Sequence, residues 1–132
     1  MKKFIAYCLL VVFMFSCSSN DDYSQDFYNE MLPIERANFP DQFQLGKTYE
    51  ITLTYIRPST CYGFNNIYNV QEANVQTLAI VANVAAQTDN CITLNEEMEA
   101  SFNFTANHRG SYIFKLWQGE KNYLIIEVPV EE

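Results

Sequence analysis

Cations, glycine, proline and histidine are all scarce in this 132-residue chain, which holds eight Lys and Arg against sixteen Asp and Glu, four Gly, four Pro and one His. Lys2 and Lys3 stand before every acid, so from Cys17 onward six bases face sixteen acids and the net charge is −10. That balance argues against a nucleic-acid partner, whose phosphates need patches of Lys and Arg. It also argues against charge-driven docking on anionic lipid. A single imidazole supplies zinc poorly, and His108, beside Arg109, reads as a solvated turn residue. No GxSxG places a nucleophilic serine, and no CxxC marks a redox pair. Glu96, Glu97 and Glu99 lack the alternating acids and central glycine of a calcium loop and read as a solvated face. No two carboxylates stand out as a glycosidase pair. The composition points to no metal, no cofactor and no enzyme.

Long apolar runs are missing too. The longest, Phe4 to Phe15, is twelve residues, about 18 Å as a helix, whereas a bilayer core is about 30 Å thick. Its flanks are informative: Lys2 and Lys3 precede it, and Ser16 and Cys17 follow at once. This is the layout of a secretory signal, so residues 1–16 are expected to be removed. Residues 17–30 are polar and acidic, the composition of a tether that buries too little to fold. Residues 31–132 then form one domain of ordinary size.

The run Met14-Phe15-Ser16-Cys17 resembles the cleavage site of a bacterial lipoprotein precursor. The resemblance implies a diacylglycerol on the Cys17 sulfur, cleavage after Ser16 and acylation of the new amine. Several acyl chains, at about 0.8 kcal/mol per buried methylene, give a lasting anchor where one does not. Asp21 and Asp22 follow Ser18-Ser19-Asn20, and this acidic pair resembles the surface-export signal of lipoproteins from Bacteroidota-type bacteria. The implied location is the cell envelope, lipid-anchored in the outer membrane and facing the periplasm or the surface.

With Cys8 inside the apolar run and Cys17 at the junction, Cys61 and Cys91 are left. In an exported chain two thiols generally pair, because the compartment is oxidising. A structural disulfide is therefore expected, with two buried free thiols as the alternative.

The rest of the chain alternates with period two. Tyr49, Ile51, Leu53 and Tyr55 point one way from a strand over residues 48–55, and Pro58 closes it. Residues 61–68 read as a less regular second strand. In the run from Asn74 to Ala86, Leu78, Ile80, Ala82 and Val84 share a face, and Ala79 and Val81 make the other face apolar as well. Met98, Ala100, Phe102 and Phe104 share a face after Cys91. Tyr112, Phe114 and Leu116 point inward from a strand that turns at Gln118-Gly119-Glu120-Lys121. Leu124, Ile126, Val128 and Val130 return on the same side. About seven strands with turn signals between them give an all-β antiparallel sandwich.

Gly110-Ser111-Tyr112 resembles the tyrosine corner of immunoglobulin-like domains, and the closing hairpin is similar to that of small β-sandwich lipoproteins. That likeness implies an immunoglobulin-like shape and an accessory role; it lacks the tryptophan that antibody domains carry on the third strand. The candidate contact residues are the aromatics: Tyr62, Phe64 and Tyr68 beside Cys61, and Trp117 with Tyr123 on the last hairpin. Such side chains stack on sugar rings or anchor protein partners when they face solvent, and otherwise fill the core. The expectation is a monomeric, non-enzymatic binding module whose partner is an envelope protein or, alternatively, a glycan.

Overall fold

The computed structural model describes residues 26–86 and 90–132, and in them the alternating pattern becomes nine strands. These are β1 (Phe27–Leu32), β2 (Ile34–Asn38), β3 (Phe43–Gln44), β4 (Thr48–Ser59), β5 (Tyr62–Glu72), β6 (Val75–Ala85), β7 (Thr93–Thr105), β8 (Gly110–Trp117) and β9 (Tyr123–Glu131). No helix occurs among the described residues. The expected signal segment 1–16, Cys17, Asp21 and Asp22 lie outside them.

β2, β4 and β7 form a three-stranded antiparallel sheet. β4 and β7 run together from Thr48↔Thr105 to Ser59↔Thr93, with Pro58 in the register shift after Arg57, a place that tolerates a residue without an amide proton. The outer face of this pair is a hydroxyl ladder: Thr48 with Thr105 at 2.7 Å and Thr52 with Ser101 at 2.9 Å. Its inner face presents Ile51, Leu53, Tyr55, Ala100 and Phe104, all buried.

The second sheet is built on β6. One edge of β6 pairs with β5 from Glu72↔Val75 to Tyr62↔Val84. The other edge is shared. Val75–Leu78 pair in parallel with Ile113–Leu116 of β8, and Ile80–Ala85 pair antiparallel with β1. β9 continues from β8 and ends beside β3, again in parallel. Leu78, Ile80, Ala82, Val84, Tyr112, Phe114, Leu116 and Val128 face the other sheet and are buried, as their spacing predicts.

At the core Phe43 meets Tyr49, Phe104, Tyr112 and Phe114 at ring separations of 5.0, 4.9, 6.2 and 6.1 Å. Pairs in this range and at these tilts gain beyond their buried area. The Tyr112 hydroxyl accepts the backbone N–H groups of Asn107 and His108 at 2.9 and 3.0 Å. It thereby ties the 106–110 turn to β8, and Gly110 takes the φ of +102° that starts the strand.

Three expectations are corrected. The domain begins at Phe27 rather than at residue 31, because Phe27–Glu30 find backbone partners along Ala82–Ala85. Composition reads this segment as tether since it weighs burial and not an open edge. Among the described residues there are nine strands rather than about seven, because Pro33 divides one extended segment into β1 and β2 on different sheets and Phe43–Gln44 add a short edge. The pairing is mostly but not wholly antiparallel, since β3–β9 and β6–β8 are parallel.

Cys61 and Cys91 are bonded, with Cα atoms 5.4 Å apart. The bond joins the β4–β5 and β6–β7 crossings between the sheets, where Thr60 N–H also reaches the Ile92 carbonyl at 3.0 Å. A closed loop of thirty residues is worth about 3.5 kcal/mol in the chain-entropy account. Cys61→Ala/Cys91→Ala is expected to lower Tm by at least about 10 °C. Thiol titration of the denatured, unreduced protein checks the bond, and two reactive thiols per chain from Cys61 and Cys91 refute it.

Candidate functional site

Strand register sorts the five candidate aromatics into two groups on opposite faces of the larger sheet. Tyr62 and Phe64 sit opposite Val84 and Ala82, whose side chains face the core. Asn65 then falls in a register shift, and the phase of β5 reverses after it. Asn66, Tyr68 and Val70 lie opposite Val81, Ala79 and Thr77, on the outer face. The Asn65 amide fixes this bulge by donating to Asn29 Oδ1 at 3.2 Å and Asn83 Oδ1 at 3.0 Å.

Trp117 and Tyr123 pair across β8 and β9 on that same outer face. The β6–β8 ladder ends at Leu78↔Leu116, and Ala79 and Trp117 are the residues that follow that last pair. Tyr68, Ala79, Trp117 and Tyr123 thus form one row across β5, β6, β8 and β9, with strands about 4.8 Å apart. Ala79 is fully covered although it belongs to the outer face. The Trp117 indole donates to the Glu120 carbonyl at 3.0 Å, and Lys115 Nζ lies 4.7 Å from the centre of the Tyr123 ring. Tyr68, Val70, Tyr123 and Ile125 remain exposed around the row. Val70 and Ile125 are members that sequence reading missed; their period-two places relative to Tyr68 and Tyr123 were the available signal.

The inward pair lines a different feature. A cleft of about 270 Å³ opens between the sheets, walled by Leu32, Tyr55, Phe64 and Met98 with Arg57 and Tyr62 among its lining. It lies at the small end of ligand-pocket sizes. Arg57 is committed to the loop beside the disulfide, with Nε donating to the Tyr62 carbonyl at 2.7 Å and Nη2 to Thr60 at 3.3 Å. The Glu30 carboxylate beside the Tyr62 hydroxyl holds its proton in place, and burial adds to this, pushing the Tyr62 pKa up to about 12. Glu30 Oε2 is buried without a hydrogen-bond partner among the described residues. Burial raises Tyr55 as well, against the opposing charge of Arg57.

His108 lies in the turn below Tyr112, its ring centre 6.2 Å from the tyrosine's. Glu97 pairs with Arg36, Glu96 stands opposite Arg57 and Glu99 opposite Thr54, so the three acids do not converge. Among the described residues no three His, Cys, Asp or Glu groups come close enough to share a metal. No family model, curated protein or solved structure matches this chain.

The phenols give a direct check. Tyr62 is neutral in folded and unfolded chains below pH 10, and its raised folded value supports stability until pH climbs through about 12. Absorbance titration of the folded domain is expected to show late ionising steps that Tyr62→Phe diminishes. Glu30→Gln is expected to move the Tyr62 step down while leaving that of Tyr55 in place.

Proposed function

We propose that the chain is a lipid-anchored lipoprotein of the cell envelope whose one β-sandwich is a non-enzymatic binding module. In this reading residues 1–16 are removed, Cys17 carries the acyl chains in the outer membrane, and Asp21 and Asp22 direct the domain to the surface. The sandwich is of the immunoglobulin-like kind, which the Tyr112 corner supports. The parallel β6–β8 pairing is its own variation on that plan. One observation carries the binding role: a row of Tyr68, Trp117 and Tyr123 laid across four strands on a face that the other sheet does not cover. Core packing accounts for Tyr112 and Phe114; it does not account for these three.

The partner is an envelope protein that uses this face. A glycan is the second reading, since the exposed Tyr68 and Tyr123 rings offer faces on which a sugar ring stacks. Cys17→Ser is expected to abolish lipid labelling and leave precursor or soluble protein, because serine offers no thiolate to alkylate. Unchanged palmitate incorporation and membrane retention would sink the anchor. Trp117→Ala is expected to weaken partner recovery from native membranes by about tenfold or more, a hot-spot loss of at least about 1.4 kcal/mol. Loss of glycan-array signal in that variant selects the sugar reading, and turnover on ester, peptide or glycoside panels overturns both.

A further inference from the structure

Five large apolar side chains lie exposed at the end of the sandwich where the chain enters β1: Phe27 (57%), Tyr28 (50%), Phe64 (51%), Ile92 (65%) and Leu94 (36%). Topology brings them together. Tyr28 and Tyr62 pair with opposite edges of the same residue, Val84, and Phe64 lies two places along. The Cys61–Cys91 bond and the Thr60–Ile92 hydrogen bonds hold the start of β7 against this end. The far end differs: its turns carry Lys47, Asn74, Asn107, His108 and Arg109, and Arg109 pairs with Glu132 at 2.6 Å.

The chain outside the described residues says what meets the apolar end. Eight residues separate Cys17 from Asp26, a reach of about 30 Å when stretched and about 16 Å as a flexible coil. The thirteen residues of β7 alone span about 43 Å. An anchor at Cys17 therefore keeps the β1 end beside the bilayer. Contact by the far end would demand a stretched tether and a domain laid on its side.

We infer that this end is a lipid-contacting surface, on which Phe27, Tyr28, Phe64, Ile92 and Leu94 rest in the headgroup layer of the membrane that holds the anchor. The inference depends on the Cys17 anchor proposed above. Charge does not drive the contact. Asp26 and Glu30 stand at this end, and Arg57 is spent on carbonyls. Aromatic and aliphatic side chains enter zwitterionic headgroups without cations, with tyrosine hydroxyls at the water boundary.

The chain's one tryptophan, Trp117, follows the Leu78↔Leu116 pair, seven positions along β6 from the Ala85 that Phe27 faces, and serves as an internal control. Acylated chain is reconstituted in phosphatidylcholine vesicles containing brominated acyl chains. Phe27→Trp and Ile92→Trp, each combined with Trp117→Phe, then report lipid contact by quenching. Both are expected to be quenched at least threefold more than Trp117 in the parent chain. The difference is expected to persist in 0.5 M salt and after a ten-residue Gly-Ser insertion following Asn20. Reporters quenched no more than Trp117, or quenching that vanishes with the longer tether, overturn the contact. Burial of the reporters in a concentration-dependent dimer without lipid quenching overturns it too. Intact mass reads acylation separately: an unacylated chain fails the anchor itself, whereas an acylated chain with unquenched reporters fails only the contact.

Discussion

Everything in this sandwich depends on how the two edges of β6 are used. Hydrogen bonds that leave a central strand unsatisfied are costly in a buried sheet, and β6 is apolar on both faces. Its long edge is satisfied by β5, and its other edge needs two partners because neither β1 nor β8 covers it alone. That division sets the rest. β1 must stop where the end of β8 takes over the edge, so Pro33 sends the chain over to the smaller sheet as β2. There the β8–β9 turn closes beside it, with Gln118 Nε2 donating to the Ile34 carbonyl at 3.1 Å. The parallel β6–β8 pairing ends just before Ala79 and Trp117 and so sets the aromatic row.

Much of the core was legible in the amino-acid order. β8 and β9 carry their burial in a plain period of two, β4 does so apart from the covered Thr54, and Ile51, Leu53, Phe114, Leu116 and Val128 went where alternation sends them. Trp117 and Tyr123 were legible as neighbours because a short hairpin turn fixes their register. What stayed hidden was non-local. Phe27–Glu30 look like tether until the open lower edge of β6 is known. A parallel pairing between strands separated by β7 leaves no local pattern. The bulge at Asn65 is equally silent, since Tyr62, Phe64 and Tyr68 share parity in sequence yet part company in space.

The molecule also has a direction. Its β1 end gathers the disulfide and the cleft, while the opposite end gathers turns with exposed Lys, Asn and Arg. The aromatic row lies along one flank between them. The disulfide joins two of the crossings between sheets, and the aromatic cluster around Phe43 secures the other half of the core.

The bulge at Asn65 has a meaning for how such a surface is kept in descent. A strand shows one set of residues to the interior and the other to the outside, and a bulge takes up one extra residue so that those beyond it keep their partners. Loss of Asn65 by an in-frame deletion would leave Phe64 opposite Ala82 and Asn66 opposite Val81, so Tyr68 and Val70 would keep the outer face and only the bulge would go. The bulge is thus a slack residue: a relative of this protein whose β5 is one residue shorter at that point would still hold its aromatic face outward on the same flank.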